Sequence, residues 1–560
     1  MVDAKTPDDV KWHPKRSLLL PLAVILLLTI LLVPPVGDFP LNDDWIYGKT
    51  VQNLIDTGTY QANPYADPTF IAQAYWGALI SKLFGFSYTT LRISTLVLTL
   101  LAAWAGASCA RVRGLNRAAS LTIGVLLLAN PLVLNLSYTF MTDIPFLAVS
   151  TLSAFFYLKA LRDDKARYIA LGSTVAVVAF FIRQFGLLVP LAYAATITLL
   201  LIRHRKPIPW QHAAAFLIPW TILPILLLIL PDLPSGAGAE WDWNDLGNTT
   251  YQRATAVIDI LINAAVYLSL FTLPIFFAAI TLPKSLDRKR GAAFVLLAAF
   301  LAFRFIRLPD WQRLPGVGNM LYDLGIGPML LRGSVVKGEI LSSVQLGAAW
   351  WPLIVLCLLS TATFLWQLPR RDEAAQQKGV ATAQDLFLIL WGLAMLFVIA
   401  LPAIPIKFDR YFITALVPCS ILMLNHAQIG ISKRPTIVAA TAIAGLYLFS
   451  LAALQDYMAW NTARWTALDR LESEYHATPE TIDGGYEYEG LHHSDLFVTE
   501  DGQRAFGPRG WWLIDDLYAV SLHPRKNFEQ IETQPYFTWL GMQSREVLLL
   551  KRTGEPEQIP

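Results

Sequence analysis

Two adjacent carboxylates, Asp43 and Asp44, stand in the stretch Asn42-Asp43-Asp44-Trp45-Ile46-Tyr47, directly after the first apolar run. Neighbouring acids repel one another, and partial desolvation at a membrane surface raises a carboxylate pKa further. Such a group can take a proton from a hydroxyl as a general base or, with its neighbour, hold a divalent cation. The plainer alternative is that one of them caps a helix opening near Trp45. A third acid lies in Met141-Thr142-Asp143-Ile144-Pro145. Thr142-Asp143 ahead of Ile144-Pro145 is a good helix start, and a carboxylate held there could also help bind a metal or an acceptor. The cations that could meet an anion on the same side are Arg183, Arg304, Arg307, Lys407 and Arg410. Arg183 and Arg410 sit at the ends of apolar runs, where snorkelling to headgroups is the ordinary explanation. Lys407, Asp409 and Arg410 form a compact charged group at headgroup depth, and the planar fork of an arginine can hold two phosphate oxygens at once.

The elements that must position these residues are membrane spans. Of 560 residues, 55% are apolar and 15% charged, against about 25% charged in ordinary soluble proteins. The first apolar run, 18–36, is near the roughly 20 residues needed to span and lacks a small-residue cleavage site, so it reads as a retained helix. Further spans are expected near 87–110, 118–136, 142–161, 168–183, 184–202, 210–230, 256–282, 291–307, 346–367, 384–402, 411–430 and 436–455, about thirteen in all. Basic clusters such as Arg111/Arg113/Arg117 and Arg203/Arg205/Lys206 follow every second span. This alternation puts the N-terminus in the cytoplasm and 38–86, 231–255, 308–345, 403–410 and 456–560 on the opposite face. In the 38–86 loop, Trp45, Ile46, Val51, Leu54 and Ile55 have helical spacing, and 74–84 is a second apolar stretch beyond a break at 63–68. Two short surface helices fit that pattern. Residues 456–560 carry 9 basic and 18 acidic residues, while the rest carry 35 and 24. The expected division is therefore a membrane body, 1–455, and a small α/β extracytoplasmic domain, 456–560. Cys109, Cys357 and Cys419 lie in apolar runs, which argues against disulfides or a cysteine metal site, and His492-His493 read as surface histidines. The positive charge is scattered in short clusters beside apolar runs, so nucleic acid is not an expected partner.

The order of these motifs resembles a known family. Asp43-Asp44-Trp45-Ile46-Tyr47, Gly58, Tyr75-Trp76, Gly85, Leu91-Arg92 and, late in the chain, Lys407-Phe408-Asp409-Arg410-Tyr411-Phe412 resemble the pattern of GT-C glycosyltransferases. Within that superfamily the chain is similar to the dolichyl-phosphate-mannose protein mannosyltransferases and the lipid A aminoarabinose transferases. The resemblance implies an all-α polytopic membrane fold of about thirteen helices and an inverting transferase fed by a polyprenyl-phosphate-linked sugar. It makes Asp43 the base, with Asp44, Asp143 and Tyr47 in supporting, acceptor-binding or metal-binding roles. The chain departs from the aminoarabinose transferases at Thr69-Phe70-Ile71-Ala72-Gln73, where those enzymes usually carry Glu-Lys-Pro. That argues against lipid A as acceptor and removes a cation from the donor phosphate, leaving Arg410, Arg183 and Lys407 to supply the charge.

A transferase of this kind needs one base and one cation, unlike a hydrolase that activates water with a second carboxylate. Expected partners are the lipid-linked sugar, a glycan, lipid or protein acceptor, and membrane lipids, in what reads as a bacterial inner membrane. Cofactor need is open, with a divalent cation as one candidate. A rival of another class is a transporter or flippase of a lipid-linked sugar. Transporters often show paired halves with interrupted helices, whereas this chain shows no duplication and gathers its acids at the outer boundary.

Overall fold

The computed structural model describes residues 17–204, 207–229, 248–279, 288–307, 350–367, 379–400, 408–425, 429–499, 504–507, 509 and 511–554. Its architecture is the expected one: a helical, integral membrane body followed by a small part that carries a sheet. Among the described residues, six helices are long and apolar enough to cross a membrane: Tyr88–Arg113, Asp143–Asp163, Gln184–Arg203, Thr250–Ala279, Thr382–Ile399 and Lys433–Ser473. Shorter apolar helices include Leu19–Leu32, Arg117–Leu128 and Ala166–Phe180.

Local chemistry sets the helix ends. Ser87 accepts the Thr90 N–H at the start of Tyr88–Arg113, and Gly114 closes that helix at φ +102°. The expected third span is broken, because Asn130 accepts the Leu132 and Val133 N–H groups and Pro131 opens the short helix Pro131–Leu136. Small residues let the helices approach. A side chain on Gly124 would begin 2.8 Å from the Ala103 carbonyl oxygen, and Ala102, Ala103, Gly106 and Ala110 are buried along the facing helix. At the far end of that helix, Arg113 forks onto both oxygens of Asp385 at 2.5 and 2.8 Å.

The two short helices expected in the first loop are Asp44–Thr57 and Ile71–Phe84. Trp45, Ile46, Val51 and Leu54 are buried and Ile55 is partly so, while Gly77 lets the second helix rest against Val51 and Phe140.

The expected division at 455/456 falls inside one continuous helix, Lys433–Ser473, of 41 residues. At about 1.5 Å per residue it is roughly twice as long as the hydrocarbon core is thick. A four-stranded sheet in the order β1-β2-β4-β3 (Ile482–Asp483, Tyr518–Ser521, Gln543–Arg552, Phe528–Thr538) packs against its second half, with β1 parallel to β2 and the other pairs antiparallel. Asp456 ties the two together by accepting the Trp539 and Leu540 N–H groups. One reading is corrected here. His493 is only 1% exposed, covered where the helix Tyr486–His493 packs into this part, and only its neighbour His492 is at the surface.

Candidate active site

The first-loop turn makes the two adjacent acids unequal. Asn42 adopts φ +57°, and Asp44 becomes the first residue of the helix Asp44–Thr57. Asp44 is 1% exposed, with Oδ1 accepting the Phe140 N–H at 2.7 Å and Oδ2 the Leu41 N–H at 3.3 Å. Nearby, the buried Arg92 donates to the carbonyls of Pro35, Gly37, Phe39 and Tyr138. Asp44 and Arg92 thus fasten the loop to the bundle.

Asp43 faces the other way. Its side chain makes no capping bond to the helix that follows. Instead Oδ1 accepts the Tyr486 hydroxyl at 2.8 Å, and Oδ2 lies 3.4 Å from Arg410 Nη2, with 19% of the side chain exposed. Burial raises the Asp43 pKa above the ordinary carboxylate range. The Arg410 charge and the Tyr486 hydrogen bond oppose that rise, and the charges of Asp143 and Asp67 add to it.

Arg410 enters from a tight 3-10 turn, Asp409–Ala415, that leads into the helix Leu416–Leu424. Its guanidinium lies 4.5 Å from the Phe408 ring and 5.7 Å from the Tyr411 ring. Two of its donors, Nε and Nη1, are buried with no hydrogen-bond partner among the described residues. Arg183 lies in a sharp turn between Phe180 and Gly186, and Gly186 allows that turn by seating against the Phe180 backbone. It is 7% exposed, donates from Nε to Thr142 Oγ1 at 2.6 Å and places Nη2 2.9 Å from Asp143 Oδ2. Its guanidinium is also 5.7 Å from the Tyr411 ring. Both arginines are therefore buried in protein, and neither reaches outward in the manner of an interfacial anchor.

Tyr47, on the loop helix, is buried against Phe70 with ring centroids 4.7 Å apart. Burial and the Asp43 charge raise its pKa, and Arg183, Arg410 and Asp143 all act on it electrostatically. The structure thus gathers Asp43, Asp143, Tyr47, Arg183 and Arg410, with Asp44 adjacent but turned into the loop. Lys407 lies outside the described residues. Arg304 belongs elsewhere, paired with Asp259 on Thr250–Ala279, and Arg307 packs on Phe303.

The departure at 69–73 acquires a structural meaning. Phe70, at φ +57°, fills the space beside Tyr47, while Thr69 donates to the Phe180 carbonyl and Gln73 to that of Phe140. Apolar bulk stands there, and the buried cations of this region, Arg183 and Arg410, sit at the turns near 183 and 410. A bound metal fits these residues poorly. Asp43 and Asp143 each face an arginine, Asp44 accepts backbone N–H groups on both oxygens, and the described residues contain no cluster of three or more potential ligands.

Sequence reasoning missed Tyr486 and Glu487. Glu487 Oε1 accepts the Asn42 N–H at 3.1 Å, one residue from the Tyr486–Asp43 contact. The signal available was Asp483-Gly484-Gly485-Tyr486-Glu487, which reads only as a turn.

Residues 68–230 match the family model described as "Dolichyl-phosphate-mannose-protein mannosyltransferase", one of the two groups that the sequence motifs resemble. Among solved structures, ArnT from Cupriavidus metallidurans bound to undecaprenyl phosphate is 15% identical with a TM-score of 0.42, over 96% of this chain and 98% of that one. The oligosaccharyltransferase AglB from Archaeoglobus fulgidus, in complex with an inhibitory peptide and a dolichol-phosphate, is 16% identical with a TM-score of 0.43, over 83% and 59%. The arabinosyltransferase EmbB from Mycobacterium smegmatis is 14% identical with a TM-score of 0.33, over 71% and 42%. No curated protein matches the chain.

Proposed function

We propose that this GT-C-like chain moves a sugar from polyprenyl phosphate to an acceptor hydroxyl of a cell-envelope glycan, lipid or protein. The reaction takes place at the outer face of what we read as a bacterial inner membrane. In the single displacement, the acceptor oxygen bonds to the anomeric carbon while the bond from that carbon to the phosphate oxygen breaks. The bond electrons leave with the phosphate, and Asp43 takes the acceptor proton. Attack opposite the leaving group inverts the anomeric centre.

The observation that carries this reading is the state of Arg410: a buried guanidinium beside a partly exposed carboxylate, with two donors that have no partner among the described residues. A buried charge with unused donors is costly, and it is found where a cavity or ligand completes it. A phosphate monoester or diester would supply the missing acceptors in a forked geometry. Arg183, steadied by Thr142 and Asp143, adds a second positive charge. Asp44 holds the loop that presents Asp43, and Tyr47 packs behind it. In this scheme 1–455 is the transferase body and 456–560 an extracytoplasmic domain.

The test is a donor assay with the purified full-length protein and a radiolabelled polyprenyl-phosphate sugar. Consumption of donor only in the presence of acceptor is expected, and Asp43→Asn is expected to lower turnover about 10²–10⁴-fold, the usual contribution of a general base. Movement of intact donor between leaflets, without cleavage, would instead establish the transporter.

A further inference from the structure

Two successive residues of the C-terminal segment reach the acidic turn of the first loop. Tyr486 donates to Asp43 and Glu487 accepts from Asn42. What holds them there is a buried clamp. Arg464, fully buried on the long helix, donates to the Gly484 carbonyl from Nε at 2.9 Å and Nη2 at 2.6 Å, and from Nη1 to Glu487 Oε2 at 2.8 Å. Gly485, at φ +84°, then turns the chain so that Tyr486 opens the helix Tyr486–His493. Gly490 brings that helix onto the Trp45 ring, where a side chain would begin 2.4 Å from the indole. The Tyr486 ring itself is walled by Trp45, Trp511 and Trp512, with centroids 6.1, 4.8 and 5.5 Å away. A surface tyrosine touching an acid by chance would have none of this support.

We infer that Tyr486 is a positioning residue for Asp43, contributed by the C-terminal segment to complete the transferase site. The inference rests on Asp43 being the base. Because the phenol occupies Oδ1, the oxygen left to receive the acceptor proton is Oδ2, on the side of Arg410. As the new oxygen–carbon bond forms and the carbon–phosphate oxygen bond breaks, the acceptor proton passes to Oδ2 and Tyr486 keeps its own. The phenol donates to the charged form of Asp43 and so works against burial, alongside Arg410. Asp143 and Asp67 push the other way, and Asp44, Tyr47 and Arg183 complete the titratable surroundings. A base acts only when deprotonated, so activity falls on the acid side of its pKa. Removing the phenol raises that pKa and moves the acid limb to higher pH.

The experiment is the pH profile of kcat and kcat/KM for Tyr486→Phe in the full-length protein, beside wild type and Asp43→Asn. Expected are a fall in kcat of about tenfold, the usual worth of a hydrogen bond to a charged group, an unchanged KM for the lipid donor, and an acid limb displaced upward. A merely structural tyrosine would lower yield or melting temperature and leave the limb where it was. Should Tyr486→Phe fold poorly, 3-fluorotyrosine at position 486, a stronger donor of nearly the same size, is expected to move the limb downward. A wild-type limb in both variants overturns the inference. An active Asp43→Asn overturns instead the reading of Asp43 on which it stands, so the two failures are distinct.

Discussion

Arg410 and Asp44 show how far a side chain's role depends on what its remaining hydrogen-bonding atoms do. Among the described residues, two donors of Arg410 have no partner, so Arg410→Lys, which loses the fork, is expected to weaken binding of a radiolabelled polyprenyl-phosphate sugar, and Arg410→Ala to weaken it further. Wild-type affinity in both variants would make the residue an ordinary part of the wall. Asp44 has the opposite character, since both its oxygens accept backbone N–H groups. Asp44→Asn must set an amide N–H against one of those donors, so it is expected to cost about 1–3 kcal/mol of stability, seen as a lowered melting temperature in detergent. Asp43→Asn is expected to leave that temperature near wild type. The adjacent acids, Asp143 and the arginines were legible as types in the sequence, because charge beside apolar runs is conspicuous. The split between Asp43 and Asp44 came only from the resemblance, and its physical cause, the left-handed residue Asn42, was not legible. Tyr486 was not legible either, lying more than 400 positions from its partner in a segment with no periodic signal.

At the level of elements, apolar spacing carried most of the information. Trp45, Ile46, Val51 and Leu54 announced the first loop helix, and all four are buried in it. The break at Asn130-Pro131 carried a readable cap-and-proline signal, yet the apolar residues on either side mask it when only hydropathy is followed. The composition changes near 456, whereas helix propensity runs straight through that point, and the backbone follows the propensity. Close helix contacts were likewise hidden in single glycines. Gly124→Ala would put a methyl group 2.8 Å from the Ala103 carbonyl oxygen. It is expected to destabilise the body by about 1–3 kcal/mol through overpacking, measurable by thermal unfolding in detergent.

For the whole molecule, the basic body and acidic C-terminal part fit a chain with its loops sorted by charge across a membrane. Protease added outside intact cells is expected to cut within 456–560, and cutting only in inside-out vesicles would reverse the orientation. The same molecule contains a gauge. Ser450 fixes the long helix to the body by donating to the Ala129 carbonyl at 2.7 Å, and Asp456 fixes it to the sheet. Between those two bolts the helix has no joint, so the angular phase of one end is dictated by the residue count to the other. One alanine inserted after Ala452 turns everything beyond it by about 100° and lifts it by about 1.5 Å. The phenol of Tyr486 then swings away from Asp43, although every residue of the site is still present. Seven inserted residues nearly restore the phase but leave the sheet about 10 Å too high. Activity in such a ladder of insertions is expected to fail at every rung. The separation between the Ala129 contact and the sheet is thus a fixed dimension of this protein, which any change in length between Ser450 and Asp456 would break.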